Sequence, residues 1–180
     1  MPYLLQTPRL TLRPINENDY PLLRSMHLNE KMNSLAGPAL LRTEEQSQTG
    51  FKYCLQIEKD DPRLGSWITE IKPSQLPIGS VILRKPATKD PMEGLEIGYS
   101  FYPEYWGMGL AQESVRAMVE YALREFGPMR IIALVSPVNT ASRNVLIKTG
   151  FISVGVTDYV NPSTGNVSST ELLELHPSSP

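Results

Sequence analysis

Leu95-Glu96-Ile97-Gly98-Tyr99-Ser100-Phe101, then Trp106-Gly107-Met108-Gly109-Leu110-Ala111, then an amphipathic run to Phe126 decide the fold between them. The first stretch alternates apolar side chains, interrupted only by glycine, as a half-buried strand does. In the last, Val115, Met118, Val119, Ala122, Leu123 and Phe126 recur at helical spacing. Glu113/Arg116, Arg116/Glu120 and Glu120/Arg124 pair opposite charges along the same run, which suits a wet outer face. Gly127 and Pro128 end it. Between strand and helix lie two closely spaced glycines. That order is a physical recipe for holding phosphate, because the first turn of a helix leaves N–H groups without partners. The aligned peptide dipoles add positive character there, and glycine lets an anion approach the main chain.

The triplet Gly107-Met108-Gly109 carries little weight by itself, since about 0.8 such triplets are expected by chance at this glycine frequency. Its position carries more. A Walker A loop needs Gly-Lys, which occurs nowhere in the chain. A dinucleotide fingerprint needs a third glycine where Gln112 stands.

Outward from this centre, Leu10-Thr11-Leu12-Arg13 alternates as a strand. Asn16 or Asn18 caps a helix to about Leu28, and Ser34 to Leu41 reads as a loop. Thr43-Glu44-Glu45-Gln46 is a capping box opening a second helix to about Lys59. Strands follow near 65–71 and 78–85. Beyond the long helix come a short buried strand at 130–135, a helix at 140–149, and two strands at 151–159 and 169–175 around Asn161–Asn166. Residues 1–176 read as one domain and 177–180 as a frayed tail.

The 17 basic and 19 acidic residues leave a net charge of −2 with no basic block, so nucleic acid is not an expected partner. Cys54 is the only cysteine, and His27 and His176 show no ligand spacing, so no metal site is expected. No apolar run reaches membrane-spanning length, and a leader pattern is missing at Met1–Gln6. A reducing, cytoplasmic location is the default expectation. Mid-helix and among apolar neighbours, Cys54 reads as a buried thiol.

Four motifs together resemble the GNAT acetyltransferase superfamily, in the branch of the ribosomal-protein N-terminal acetyltransferases. Thr7-Pro8-Arg9-Leu10-Thr11-Leu12-Arg13 looks like that branch's first strand, and Glu96-Ile97-Gly98-Tyr99 like the strand before its cofactor loop. Trp106-Gly107-Met108-Gly109-Leu110-Ala111 resembles the acetyl-CoA loop, with Trp106 in place of the usual Gln or Arg. Asn139-Thr140-Ala141-Ser142-Arg143-Asn144, continuing to Lys148-Thr149-Gly150-Phe151, resembles the downstream segment.

The resemblance implies an α/β fold: a mixed, mostly antiparallel sheet of six to seven strands flanked by about four helices, with one splayed parallel pair. It implies acetyl-CoA as co-substrate and no metal. Backbone near Phe101 and Tyr102 would pair with the pantetheine arm, and N–H groups from Met108 to Ala111 would hold the pyrophosphate. Asn139 and Ser142 would line the arm's other side. Lys148 would reach a cofactor phosphate, although a solvated lysine at a helix end is the plainer reading.

The implied reaction is direct attack of a primary amine on the thioester, which requires a neutral amine. A lysine-like amine is neutral in fewer than about one molecule in a thousand at pH 7, and a protein α-amino group in roughly one of six. The resemblance names Glu96 as general base; an exposed strand residue or an ion-pair partner is the alternative reading. The tyrosine that many relatives use as general acid is replaced by Leu146, leaving Ser142 or an unassisted thiolate. The acceptor, a small amine or a peptide N-terminus, would enter between the two N-terminal helices, the Ser34–Leu41 loop and the 158–166 connection, with Glu30, Asp158 and Tyr159 as contacts to a cation. Dimers are common in the branch. The rival function is a non-catalytic acyl-CoA sensor on the same fold.

Overall fold

The computed structural model describes residues 3–35 and 42–176. Their elements run β1 (Leu5–Gln6), β2 (Leu10–Pro14), a 3-10 turn (Glu17–Asp19), α1 (Tyr20–Leu28), α2 (Glu30–Ser34), α3 (Glu44–Asp60), β3 (Gly65–Ile71), β4 (Leu76–Arg84) and β5 (Leu95–Phe101). After a second 3-10 turn (Pro103–Tyr105) come α4 (Leu110–Phe126), β6 (Ile131–Val135), α5 (Thr140–Lys148), β7 (Ile152–Val160) and β8 (Val167–Leu175). Most of the expected loop at Ser34–Leu41 and the expected tail at 177–180 lie outside the described residues.

All strands join one eight-stranded sheet in the order β1-β2-β3-β4-β5-β6-β8-β7. Every pairing is antiparallel except β5 with β6. This is the expected fold with one strand more than the upper count. The addition is β1, whose two residues pair Leu5 with Leu12 and Gln6 with Thr11. Two residues are too few to show alternation.

The helix count also rises by one. Asn29 leaves the helical conformation, and its side chain then accepts from Met32 N at 3.0 Å. A polar side chain that competes for backbone in this way ends α1 and caps α2. The capping box at Thr43 forms as read: Thr43 Oγ1 accepts from Gln46 N at 3.2 Å, and Gln46 Oε1 accepts from Thr43 N at 2.9 Å.

Alternation along β3 separates two helical layers. Trp67 meets Tyr121 of α4 edge-on, with ring centroids 5.5 Å apart. Its neighbour Ile68 packs with Leu23 of α1 and Phe51 of α3. α4 thus covers one sheet face and α1 with α3 the other. Of the stripe read from sequence, Val115, Met118, Val119 and Ala122 are buried and Leu123 and Phe126 half-buried, while Tyr121, outside the stripe as read, is fully enclosed beside them.

The feature that positions the site is a split in the sheet. β5 and β6 pair only at Leu95↔Ile131 and Glu96↔Ile132. β6 instead pairs along its whole length with β8, from Ile131↔Leu175 to Val135↔Glu171. From Ile97 to Phe101, therefore, β5 has no strand beside it on that flank.

Candidate active site

The split opens into two cavities that meet. The smaller, about 130 Å³, lies toward α4 and is lined by Phe101, Trp106, Gly107, Ala111, Ala141 and Val145 among others. The larger, about 340 Å³, lies toward α1 and α3 and contains Arg42, Arg84, Glu96 and Tyr159 in its walls. Tyr99, Ser100, Asn139 and Ser142 line both, and so mark the junction.

At the α4 mouth, Gly107 and Gly109 have φ of 76° and 73°, the left-handed region that other residues enter at a cost of about 1–2 kcal/mol. Gly109 is the N-cap of α4, and no side chain caps the helix. The N–H groups of Leu110, Ala111 and Gln112 consequently have no partner among the described residues. That is the geometry an anion cradle requires. The side chain of Leu110 is buried in the core, so only its amide can contribute.

The cradle is braced from outside. Arg9 Nη1 donates to Met108 O at 2.9 Å, Arg9 Nε to Glu113 Oε2 at 2.6 Å, and Thr7 Oγ1 to Glu113 Oε1 at 2.5 Å. The segment expected as a strand from Thr7 thus becomes strand only at Leu10. Its first residues instead clamp the opening turn of α4. Trp106 Nε1 donates to Phe101 O at 2.7 Å and fixes the turn between β5 and the cradle.

The backbone open to the cleft differs by one residue from expectation. Tyr102 N donates to Ile78 O at 2.9 Å, extending the β4–β5 ladder, so it is not free. Antiparallel residues alternate between facing and avoiding their partner. With Ile78 and Tyr102 hydrogen-bonded, the residues facing the split are Leu95, Ile97, Tyr99 and Phe101. Leu95 N accordingly donates across to Arg130 O at 3.1 Å. Main-chain groups open to the split are thus those of Tyr99 and the Phe101 N–H, not the Tyr102 N–H.

On the facing side, Asn139 caps α5, its Oδ1 accepting from Ser142 N at 3.0 Å. Ser142 Oγ lies 2.8 Å from Tyr99 Oη, which is also 3.0 Å from Ser142 O. Burial pushes the Tyr99 phenol up from 10.0 to about 12. Sequence reading missed Tyr99. Leu146, which stands where many relatives place a tyrosine, is enclosed in the core, and a phenol reaches the junction from β5 instead. Lys148 is exposed and lines neither cavity; its carbonyl accepts from Gln112 Nε2 at 3.3 Å, which places the end of α5 beside the first turn of α4.

Glu96 is 3% exposed. Its Oε1 lies 2.5 Å from Arg84 Nη2, and its Oε2 accepts from Ala87 N at 2.7 Å. The ion-paired reading of this residue is therefore realised, and among the described residues it is also the only carboxylate side chain lining the larger cavity. Glu30 and Asp158 do not line it, whereas Tyr159 does. Cys54 lines it too, with its thiol pushed up chiefly by burial. Among the described residues no cluster suits a metal ion, and no helix is long and apolar enough to cross a membrane.

The split parallel pair and the uncapped helix at its mouth make a cleft with unpartnered amides at one end. Residues 9–152 match the model of the acetyltransferase (GNAT) domain. The chain belongs to the GNAT family of acetyltransferases, and with it to the acyltransferases that act on amines. An uncharacterized N-acetyltransferase of Bacillus subtilis, YoaA, is 29% identical over 153 residues, covering 85% of each chain. An acetyltransferase of Agrobacterium tumefaciens superposes with a TM-score of 0.80 at 21% identity, covering 98% of this chain and 96% of that one. The ribosomal L7/L12 α-N-protein acetyltransferase RimL, solved with coenzyme A, superposes with a TM-score of 0.73 at 16% identity, covering 97% and 98%.

Proposed function

We propose that this chain transfers an acetyl group from acetyl-CoA directly to a primary amine that enters from the larger cavity. The observation carrying this reading is the meeting of the two cavities at Tyr99, Ser100, Asn139 and Ser142, with the uncapped α4 terminus at the far end of one of them. In this reading the Met108–Ala111 amides hold the pyrophosphate, and Tyr99 and Phe101 align the pantetheine. The thioester then rests at the junction, where an amine from the opposite side meets it.

Ser142, backed by Tyr99, hydrogen-bonds the departing sulfur. The phenol stays neutral through the physiological range, so the pair remains a donor there. Glu96 receives the amine proton through water. Each of its oxygens holds one protein donor, and a carboxylate oxygen accepts two, so acceptor capacity remains. Lys148, whose carbonyl accepts from Gln112 in the first turn of α4, is taken to reach a cofactor phosphate with its side chain.

The test is thioester consumption with a panel of amines, with products weighed by mass spectrometry and acetyl-CoA binding measured separately by calorimetry. Release of coenzyme A matched by acetylated amine supports the proposal. Tight binding of acetyl-CoA with no acetylated product from any amine would overturn it in favour of a sensor.

A further inference from the structure

The larger cavity has a polarity opposite to that expected for a cationic acceptor. Its charged lining residues are Arg42, Arg84 and Glu96, two positive and one negative. Arg84 and Glu96 neutralise each other at 2.5 Å. Arg42 has no ion pair among the described residues, and these include every Asp and Glu of the sequence.

What holds Arg42 is neutral. Its Nη1 donates to His27 Nε2 at 2.7 Å and to Ser163 Oγ at 3.1 Å. A guanidinium cannot accept a hydrogen bond, so His27 Nε2 is the acceptor and its proton sits on Nδ1, facing Ser47 Oγ at 3.1 Å. Ser47 Oγ also accepts from Arg24 Nη1 at 2.7 Å. Burial, then the charges of Arg42 and Arg24, hold the His27 pKa down to about 3, so the imidazole adds no charge.

Two of the five guanidinium N–H groups of Arg42 are thereby used. The other three, on Nε and Nη2, have no partner among the described residues, and the Nε–Nη2 edge matches a carboxylate with two parallel hydrogen bonds. Neither nitrogen is among the sealed, unpartnered polar atoms, which are Thr69 Oγ1 and Arg84 Nε. Arg42 lines a cavity in which, among the described residues, no free carboxylate stands to occupy that edge.

We propose that the Nε–Nη2 edge of Arg42 docks a carboxylate carried by the acceptor, so that the acceptor amines are amino acids and their small carboxylate-bearing relatives. This rests on the larger cavity being the acceptor side, as argued under the proposed function. One end of the substrate is fixed by the cation, and its amine is carried toward Tyr99 and Ser142. Polyamines meet an uncompensated positive charge on the same path.

The experiment compares initial rates of acetylation for a panel of free amino acids, each matched with its amide and its decarboxylated amine. Spermidine and aminoethyl phosphate are added to the panel. At least one free amino acid should show a kcat/KM about ten-fold or more above its amide and its decarboxylated amine, the factor that losing a hydrogen bond to a charged group produces. Arg42→Met should erase that preference and Arg42→Lys restore part of it, with Tm and calorimetric acetyl-CoA affinity confirming that each variant is folded. Turnover favouring amides, decarboxylated amines or spermidine would overturn this inference while leaving the acetyltransferase reading intact. A preference for aminoethyl phosphate over every amino acid would replace carboxylate with phosphate and overturn it as stated. A preference that survives Arg42→Met in a folded protein would overturn the assignment to Arg42. Failure of every amine would count against the acetyltransferase reading, and the docking inference would fall with it.

Discussion

The phenol of Tyr99 on β5 and the hydroxyl of Ser142 on α5 stand 2.8 Å apart across the split between β5 and β6. A phenol carries one proton. Given to the Ser142 carbonyl at 3.0 Å, it leaves the Tyr99 oxygen to accept the Ser142 hydroxyl proton. The pair is a short relay that bridges the cleft at the level where the two cavities meet. It sets Ser142 Oγ in one orientation and leaves a single proton to redirect when a sulfur departs.

Replacing Tyr99 with Phe removes that relay while keeping the ring that packs near Phe101. The expected outcome is a fall in kcat of about 10²-fold, the lower end of general acid–base assistance, with little change in the KM for acetyl-CoA. Ser142→Ala should fall by a similar factor, and the double variant by little more than either alone, because the two act as one unit. Steady-state kinetics of the three variants checks this. Additive losses would separate the two residues.

A bulky β-branched residue at Gly109 tests the cradle. A Cβ there meets only Arg9 Nη2, at 3.5 Å, which is ordinary contact, so crowding is not the difficulty. The difficulty is φ of 73°, which valine resists by about 1–2 kcal/mol. Relief of that strain turns the first amides of α4 away from their common focus. Gly109→Val should raise the KM for acetyl-CoA about ten-fold or more, with an unchanged circular dichroism spectrum.

Periodicity carried the reading of α4 to its observed bounds, and the order of strand, loop and helix carried the cradle, because both are local. What escaped is non-local. Tyr99 and Ser142 are separated by 43 positions, and nothing in the alternation of β5 says which outward side chain meets α5. Arg42 lies just ahead of the Thr43 cap, where periodicity is silent, and reaches Ser163 from 121 positions away. Glu96 was readable as a residue of the right type on the right strand. Its guanidinium partner follows from a β4–β5 register that places Arg84 opposite it.

That register predicts a stability effect at Glu96. Glutamine preserves its shape but leaves the buried Arg84 guanidinium without its counter-charge. Breaking a buried pair from one side costs about 3–5 kcal/mol. Glu96→Gln should therefore lower Tm by roughly 10 °C or more, and Arg84→Met with Glu96→Leu should recover much of the loss. Thermal denaturation of the single and double variants checks it. A base role is separable: at temperatures where the single variant stays folded, its kcat should still fall by about 10²-fold or more.

His27 predicts how stability depends on acid. Its folded pKa is held at about 3, below the ordinary 6.5, by burial and by the charges of Arg42 and Arg24. Protons therefore bind the unfolded chain in preference to the folded one. The contribution is fully present above about 6.5 and is lost progressively as pH falls toward 3. Glutamine at this position accepts from Arg42 without titrating. Urea denaturation of His27→Gln between pH 7 and pH 4 should show a shallower loss of stability than the parent, the gap growing by about 1.4 kcal/mol for each pH unit below the ordinary value. Parallel curves would mean that His27 gains its proton in the folded state too, and the neutral hold on Arg42 would have to be abandoned.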